Sequence, residues 1–179
     1  MDAADDALAR RAQAGDPAAI ASIVDRYYGD CLRYACRMLG HRADAEDAVQ
    51  DTFVRAHRTI KRYDDRDRFR SWLFRILIER CRARAGGLRR IVRMISTQRG
   101  SDTAPWPASS GSNDDAAHVL AALARLTPAH REALLLRHVE DLSYVEMADL
   151  TGRKVSTLIV RVKHAREQLQ RELEIGENV

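Results

Sequence analysis

Residues 44–60 read DAEDAVQDTFVRAHRTI and residues 68–84 read RFRSWLFRILIERCRAR, and these two stretches decide the fold. In the first, Ala45, Val49, Phe53, Ala56 and Ile60 recur every three or four residues, the stripe of a helix that buries one side. The same period turns Asp44, Asp47, Gln50, Asp51 and Arg55 outward, so the acids share a face. In the second, Phe69, Trp72, Leu73, Ile76 and Arg80 keep helical spacing while arginines fill the gaps. β-branched residues do not alternate with polar ones, and the expected fold is all-α.

Working outward, Asp16 followed by Pro17 is an N-cap with proline in the first turn. Ile20, Ile23, Val24, Tyr27, Cys31, Tyr34, Ala35 and Met38 then mark one face, and Gly40 closes that helix. The arginine-rich helix is expected to run from about Phe69 to Ala85 and to stop at Gly86-Gly87. Residues 96–115 change character to prolines, serines and glycines without a stripe, the composition of a flexible linker, with Trp106 isolated between Pro105 and Pro107. A second helical unit follows to about Leu173. Thr127-Pro128 opens a helix that turns Ala133, Leu134, Leu136 and Val139 inward. The expected organisation is therefore a short acidic segment 1–15, a helical domain 16–95, a linker 96–115 and a helical domain 116–175.

The 179 residues are 45% hydrophobic and carry a formal net charge of +4, enough for a core but divided between two small domains. Distribution matters more than the sum. From Arg68 to Arg93 the bases are Arg68, Arg70, Arg75, Arg80, Arg82, Arg84, Arg89, Arg90 and Arg93, with Glu79 the only acid. Such a surface selects phosphate, and the rings of Phe69, Trp72 and Phe74 among those guanidinium groups suit unpaired bases. Trp72 also lies on the apolar stripe, so core packing is the equal alternative. Cys31, Cys36 and Cys81 form no CxxC pair and read as packing residues, and the six histidines are scattered without ligand spacing. No glycine-rich phosphate loop appears, so neither catalytic residues, metal nor cofactor are expected. No leader and no membrane-spanning apolar run are seen, which points to a reducing cytoplasm without membrane insertion.

Ser143 and Glu146 form a capping box for a short helix that ends at Gly152, and Arg153-Lys154-Val155-Ser156 leads into a longer helix with Leu158, Val162, Ala165 and Leu169 inward. Two helices across a tight glycine turn make a helix-turn-helix, whose second member enters the major groove. Ser156, Thr157, Arg161, Lys163 and His164 are then placed to meet bases or phosphates. The alternative is a helical hairpin with a solvated basic face.

Asp44 to Phe53, Phe69 to Ile76, Leu126-Thr127-Pro128, Leu142 to Ala148 with Gly152, and Arg161 to Arg166 occur in one order. Together they resemble an extracytoplasmic-function (ECF) sigma factor of bacterial RNA polymerase over nearly the whole chain. The resemblance implies sigma region 2, which binds core polymerase and opens the −10 element, and sigma region 4, which reads the −35 element. It places Asp44, Asp47, Gln50, Asp51 and Phe53 on the polymerase clamp; without it, those acids are equally an ordinary solvated face. It places Lys61, Arg62, Tyr63, Arg66, Arg70, Trp72, Arg75, Glu79 and Arg82 at the −10 element, with the loop 61–67 receiving a flipped non-template base. It places Arg153, Lys154, Ser156, Thr157, Ile159, Val160, Arg161, Lys163 and His164 at the −35 element. Implied partners are the clamp and flap regions of core polymerase, promoter DNA as duplex and as melted non-template strand, and an anti-sigma factor.

The chain departs from the family pattern at Glu79, where many relatives carry asparagine, and at Ile159, Val160 and His164 in the recognition helix. Ile159 and Val160 can pack on thymine methyls or serve a protein contact. The competing reading is a conventional helix-turn-helix regulator with an N-terminal sensor or dimerisation domain, which would bind duplex DNA as a symmetric dimer without polymerase.

Overall fold

The computed structural model describes residues 2–64, 68–95 and 114–176, with side-chain surroundings for 4–64, 68–87 and 118–174. Arg66, Trp106 and the linker residues 96–113 lie outside the described residues. Among those described, the chain is helical and has no strand.

The first group comprises α1 (Asp2–Gln13), α2 (Pro17–Leu39), α3 (Arg42–Thr59), a 3-10 turn (Ile60–Arg62) and α4 (Phe69–Ile95). Asp16 caps α2 by accepting from the amides of Ala18 and Ala19 at 2.9 and 3.4 Å. The Arg11 guanidinium, 2.6 Å from the same carboxylate, is the main reason its pKa lies below the ordinary value. Gly40 closes α2 at φ 80°, a left-handed conformation that an L side chain resists. Tyr34, Met38, Val49, Leu73, Phe74, Leu77 and Ile78 fill the core between α2, α3 and α4. Cys31 and Cys81 belong to it, and burial pushes each thiol up to about 12, which leaves them unreactive packing groups.

Residues 2–15 form more than an acidic segment. Ala9 and Ala12 seat α1 on the core, the Asp5 carboxylate meets Arg26 at 3.0 Å, and the Gln13 amide donates to the carbonyls of Ile60 and Tyr63 at 3.1 and 2.5 Å. The expectation that α4 stops at Gly86-Gly87 is corrected: the helix continues to Ile95. A C-terminal glycine terminates a helix by turning left-handed, and neither Gly86 nor Gly87 has positive φ. Its 27 residues make a rod of about 40 Å.

The second group comprises α5 (Asp114–Arg125), α6 (Pro128–Leu134), a π-helical stretch (Leu135–Val139), α7 (Tyr144–Thr151) and α8 (Val155–Gly176). Thr127 accepts from the His130 amide at 3.3 Å, with Pro128 in the first turn. Leu123, Leu126, Leu134, Leu135, Leu136, Met147, Leu150, Leu158, Val162 and Ala165 form its core. Val139, expected inward, is 44% exposed. The Glu140 amide reaches back five residues to the Leu135 carbonyl at 3.0 Å, and this wider turn shifts the register that a 3.6-residue stripe assumes.

Arg131 joins the two groups. It is buried and donates to the carbonyls of Leu123 at 2.8 Å and Ala124 at 2.5 Å in α5, and to that of Leu126 at 3.2 Å. It also donates to Met38 in α2 at 2.6 Å. Burial lowers its pKa, and the helix-end carbonyls it meets are acceptors that otherwise lack partners.

Candidate polymerase and nucleic-acid interface

On α3 the structure brings Asp44, Asp47, Gln50 and Asp51 to one face, with Asp47, Gln50 and Asp51 exposed. Arg84 of α4 reaches across to all three acids, at 3.1 Å from Asp47, 3.3 Å from Asp51 and 3.9 Å from Asp44. One guanidinium thus fixes the spacing of the carboxylates and offsets part of their charge. Phe53 is half-buried and stacks on Tyr28 with ring centroids 6.5 Å apart, so it anchors this face to α2.

On α4 the aromatic reading is corrected. Phe69 and Phe74 are 2% and 1% exposed and belong to the core, so neither offers a face to a base. Trp72 is half-buried, 5.2 Å from Tyr63 and 5.5 Å from Phe69 by ring centroids, which favours the packing alternative for it. Tyr63 is itself buried, its hydroxyl donating to Asp6 at 3.3 Å. An aromatic at helical spacing looks the same in sequence whether it faces solvent or core, and here Tyr27 and Tyr34 of α2 lie against Phe69 and Phe74. Lys61, Arg62, Arg75 and Glu79 are exposed, so this portion of the expected surface remains open.

Arg70 and Arg82 are not free. Arg82 makes a two-pronged contact with Glu132 of α6, both N–H···O distances being 2.7 Å, and Arg70 meets Glu140 at 2.5 Å while lying over the Phe74 ring at 4.3 Å. The hydrogen bonds to Glu132 are the main cause of a raised Arg82 pKa. Arg75 donates to the Asp149 carbonyl at 3.4 Å, and Arg68 lies 4.0 Å from the Asp149 carboxylate. Glu132 and Glu140 carried no signal in the sequence, because each sits fifty or more residues from the arginine it meets.

Arg153 and Lys154 are exposed in the turn before α8; on α8 itself Ser156, Thr157, Ile159, Val160, Lys163 and His164 are exposed and Arg161 is half-buried. Leu158, Val162 and Ala165 hold the opposite side against the core. The Ser143–Glu146 capping box and Gly152 at φ 67° set α7 against α8, and the Ser143 side chain is the first cause of a lowered Glu146 pKa. Ile159 and Val160 are 46% and 50% exposed, a bare apolar patch amid cations and hydroxyls. This face combines cations, hydroxyls and bare methyl groups, chemistry able to meet phosphates, base edges and thymine methyls. Among the described residues no helix is long and apolar enough to cross a membrane, and no group of His, Cys, Asp or Glu is arranged to hold a metal ion.

The comparisons with known proteins divide as the structure does. Residues 23–91 match the Sigma-70 region 2 family and residues 117–169 match the Sigma-70, region 4 family. The RNA polymerase sigma factor NccH of Alcaligenes xylosoxydans xylosoxydans is 33% identical over 176 residues, covering 92% of each chain. The ECF RNA polymerase sigma factor SigW of Bacillus subtilis is 27% identical over 175 residues, covering 92% of this chain and 94% of that one. Among solved structures, CnrH in complex with the cytosolic domain of CnrY has a TM-score of 0.69 at 29% identity, covering 96% of this chain and 98% of that one. The sigma factor RpoE in complex with the anti-sigma factor NepR from Bartonella quintana has a TM-score of 0.71 at 27% identity, covering 86% and 96%. A sensor or dimerisation domain in the N-terminal half is not favoured, since that half is region 2. Matched in both regions and related along its length, the chain belongs to the ECF sigma factors, alternative sigma subunits that serve transcription initiation and are not themselves enzymes.

Proposed function

We propose that this chain directs core RNA polymerase to a set of promoters through three surfaces. The acidic face of α3, with Asp44, Asp47, Gln50 and Asp51 held by Arg84 and anchored through Phe53, docks on the polymerase clamp. The arginines of α4, with Lys61, Arg62 and the loop containing Arg66, hold the melted non-template strand of the −10 element. The exposed face of α8 and the turn before it read the −35 duplex, Arg153, Lys154 and Lys163 on phosphates and Ser156, Thr157, Ile159, Val160, Arg161 and His164 toward bases.

The observation that carries the reading is the α8 face. A capped helix, a left-handed glycine and a helix exposing cations, hydroxyls and methyls together follow a chain half that belongs to region 2. Opposite signs on α3 and α4 suit a protein that must grip an enzyme and DNA with adjacent surfaces. Bond formation is left to the polymerase active site in the cytoplasm, and the second helical group docks on the flap. The relative solved with the anti-sigma factor NepR supports an anti-sigma partner. The domains proposed are residues 16–95 and 116–175, preceded by the 1–15 segment and joined by 96–115.

The test is transcription in vitro with purified core polymerase and a library of promoter sequences. A shared pair of elements among the transcribed templates, with none transcribed by core alone, is the expected result. Binding to a symmetric duplex site without polymerase, and no dependent transcripts, would replace this reading with that of a dimeric regulator.

A further inference from the structure

The 3-10 turn after α3 is held from outside, by α1. Its exposed Lys61 and Arg62 are flanked by the carbonyls of Ile60 and Tyr63, and the half-buried Gln13 amide donates to both, at 3.1 and 2.5 Å. A carboxamide has two N–H groups, so one side chain can serve both ends of the turn. The Ile60 carbonyl also accepts from the Tyr63 amide at 2.9 Å, which closes the turn. The Tyr63 side chain is pinned as well: its hydroxyl donates to Asp6 at 3.3 Å, and its ring lies 5.5 Å from Phe69 and 5.2 Å from Trp72 by centroids. Asp6, Ala9 and Gln13 recur at i, i+3 and i+7 of α1, so one helical face reaches the turn at both backbone and side chain. Ala9 and Ala12 let that face approach closely, and the contact of Asp5 with Arg26 at 3.0 Å fixes it to α2.

We propose that Gln13 is a positioning residue for recognition of the −10 element. By tying the Ile60 and Tyr63 carbonyls to α1, it sets the direction from which Lys61 and Arg62 approach the unpaired strand. Gln13 itself touches no base. A side chain that must meet its partner within about 0.5 Å needs a backbone fixed by a supporting shell, and a turn on the surface has no such shell of its own. α1 lies outside the residues 23–91 matched to Sigma-70 region 2, so this role does not come from that match. The inference rests on Lys61 and Arg62 meeting the −10 strand.

The test is transcription in vitro by the holoenzyme, on templates with single base changes in the −10 element of a promoter that the chain transcribes. Gln13→Met keeps the length of the side chain and removes both N–H donors. The ratio of transcripts from the preferred base to those from the next best should fall roughly fivefold at one or more −10 positions, the lower end of what a single mismatched base costs. Ratios at −35 positions, read by α8 in the same holoenzyme, should stay parental. Gln13→Lys restores a donor of similar reach and should bring the −10 ratios back. A uniform drop in transcription with unchanged ratios reduces α1 to a structural support and overturns the proposal. So does a Gln13→Lys variant that behaves like Gln13→Met, since packing rather than donated hydrogen bonds would then explain the effect. Failure of the underlying reading looks different: Lys61→Ala with Arg62→Ala would leave every −10 ratio parental. If those alanines shift the ratios while Gln13→Met shifts none, only the role of Gln13 falls.

Discussion

The two basic helices of this protein, α4 and α8, look alike in sequence and stand in opposite electrostatic states. Arg70 and Arg82 of α4 are committed to Glu140 and Glu132, and Arg84 is committed to the acids of α3. Arg153 and Lys154, in the turn that leads into α8, are exposed, and Lys163 on α8 has a loose contact, 3.9 Å to Glu167 one turn away. A run of arginines therefore measures potential for phosphate, whereas availability is decided by which carboxylates the fold delivers. An exposed pair such as Lys163–Glu167 contributes at most about 1 kcal/mol and yields readily to DNA. A partly buried fork such as Arg82–Glu132 is harder to open, since breaking it leaves a buried carboxylate unpaired.

The largest effect should come from the residue that holds the two regions in register. Arg131→Met keeps much of the apolar stem and removes every hydrogen bond to Leu123, Ala124, Leu126 and Met38. Leaving buried helix-end carbonyls without a donor should cost about 3 kcal/mol, measured by urea denaturation monitored by circular dichroism. A loss below about 0.5 kcal/mol would mean that water replaces the guanidinium and that the junction is looser than its geometry.

Next comes the comparison of α4 with α8 on DNA. Arg70→Ala with Arg75→Ala should lower open-complex formation by the holoenzyme about tenfold while changing closed-complex binding little. Arg153→Ala with Lys154→Ala should do the reverse. It should weaken duplex binding and reduce the slope of log affinity against log salt by roughly 0.9 for each phosphate that the chain no longer neutralises. Permanganate footprinting and a filter-binding salt titration read the two effects. The same defect from both pairs would erase the division of labour between the helices.

A smaller effect is expected on the acidic face. Asp47→Lys with Asp51→Lys should lower affinity for core polymerase several-fold, since an exposed ion pair contributes roughly 0.2 to 1 kcal/mol and two are reversed. Both side chains point outward on α3, so helical content should not change. Parental affinity in a fluorescence titration removes them from the interface.

How much of this was legible follows from where each signal lives. The caps at Asp16, Thr127 and Ser143 and the left-handed Gly40 and Gly152 act within a turn of the chain, and the sequence displays them directly. The α3 stripe and the inward Leu158, Val162 and Ala165 follow from period alone. Gly86-Gly87 misleads, because glycine permits a stop without imposing one, and α4 keeps helical φ through it. Phe69 and Phe74 mislead for another reason: arginines beside them in sequence lie beside them on the helix, but which side the core takes depends on α2 arriving there with Tyr27 and Tyr34. The Val139 error comes from one wide π turn. The pairing of Arg70 and Arg82 with Glu140 and Glu132 was out of reach, since it depends on how two helical groups meet.

The smallest predicted effect is carried by Ile159 and Val160, the part of α8 with no counterpart on α4. Neither side chain has a hydrogen-bonding group, so any base discrimination from this patch comes from contact with thymine methyls or from DNA shape. Replacing a thymine of the −35 element by uracil deletes a single methyl. Burial of one such group is worth about 0.8 kcal/mol, roughly a fourfold change in affinity. One thymine in the element should show a loss of that size with the parent chain and none with Ile159→Ala or Val160→Ala, whichever side chain touches it. Hydrogen-bond readout by Arg161 and His164 should be indifferent to the same substitution, which separates the two modes on one helix. A promoter that responds to base-pair changes yet ignores every uracil would assign the patch to a protein partner. In that event Ile159→Lys should weaken anti-sigma binding while leaving −35 affinity intact.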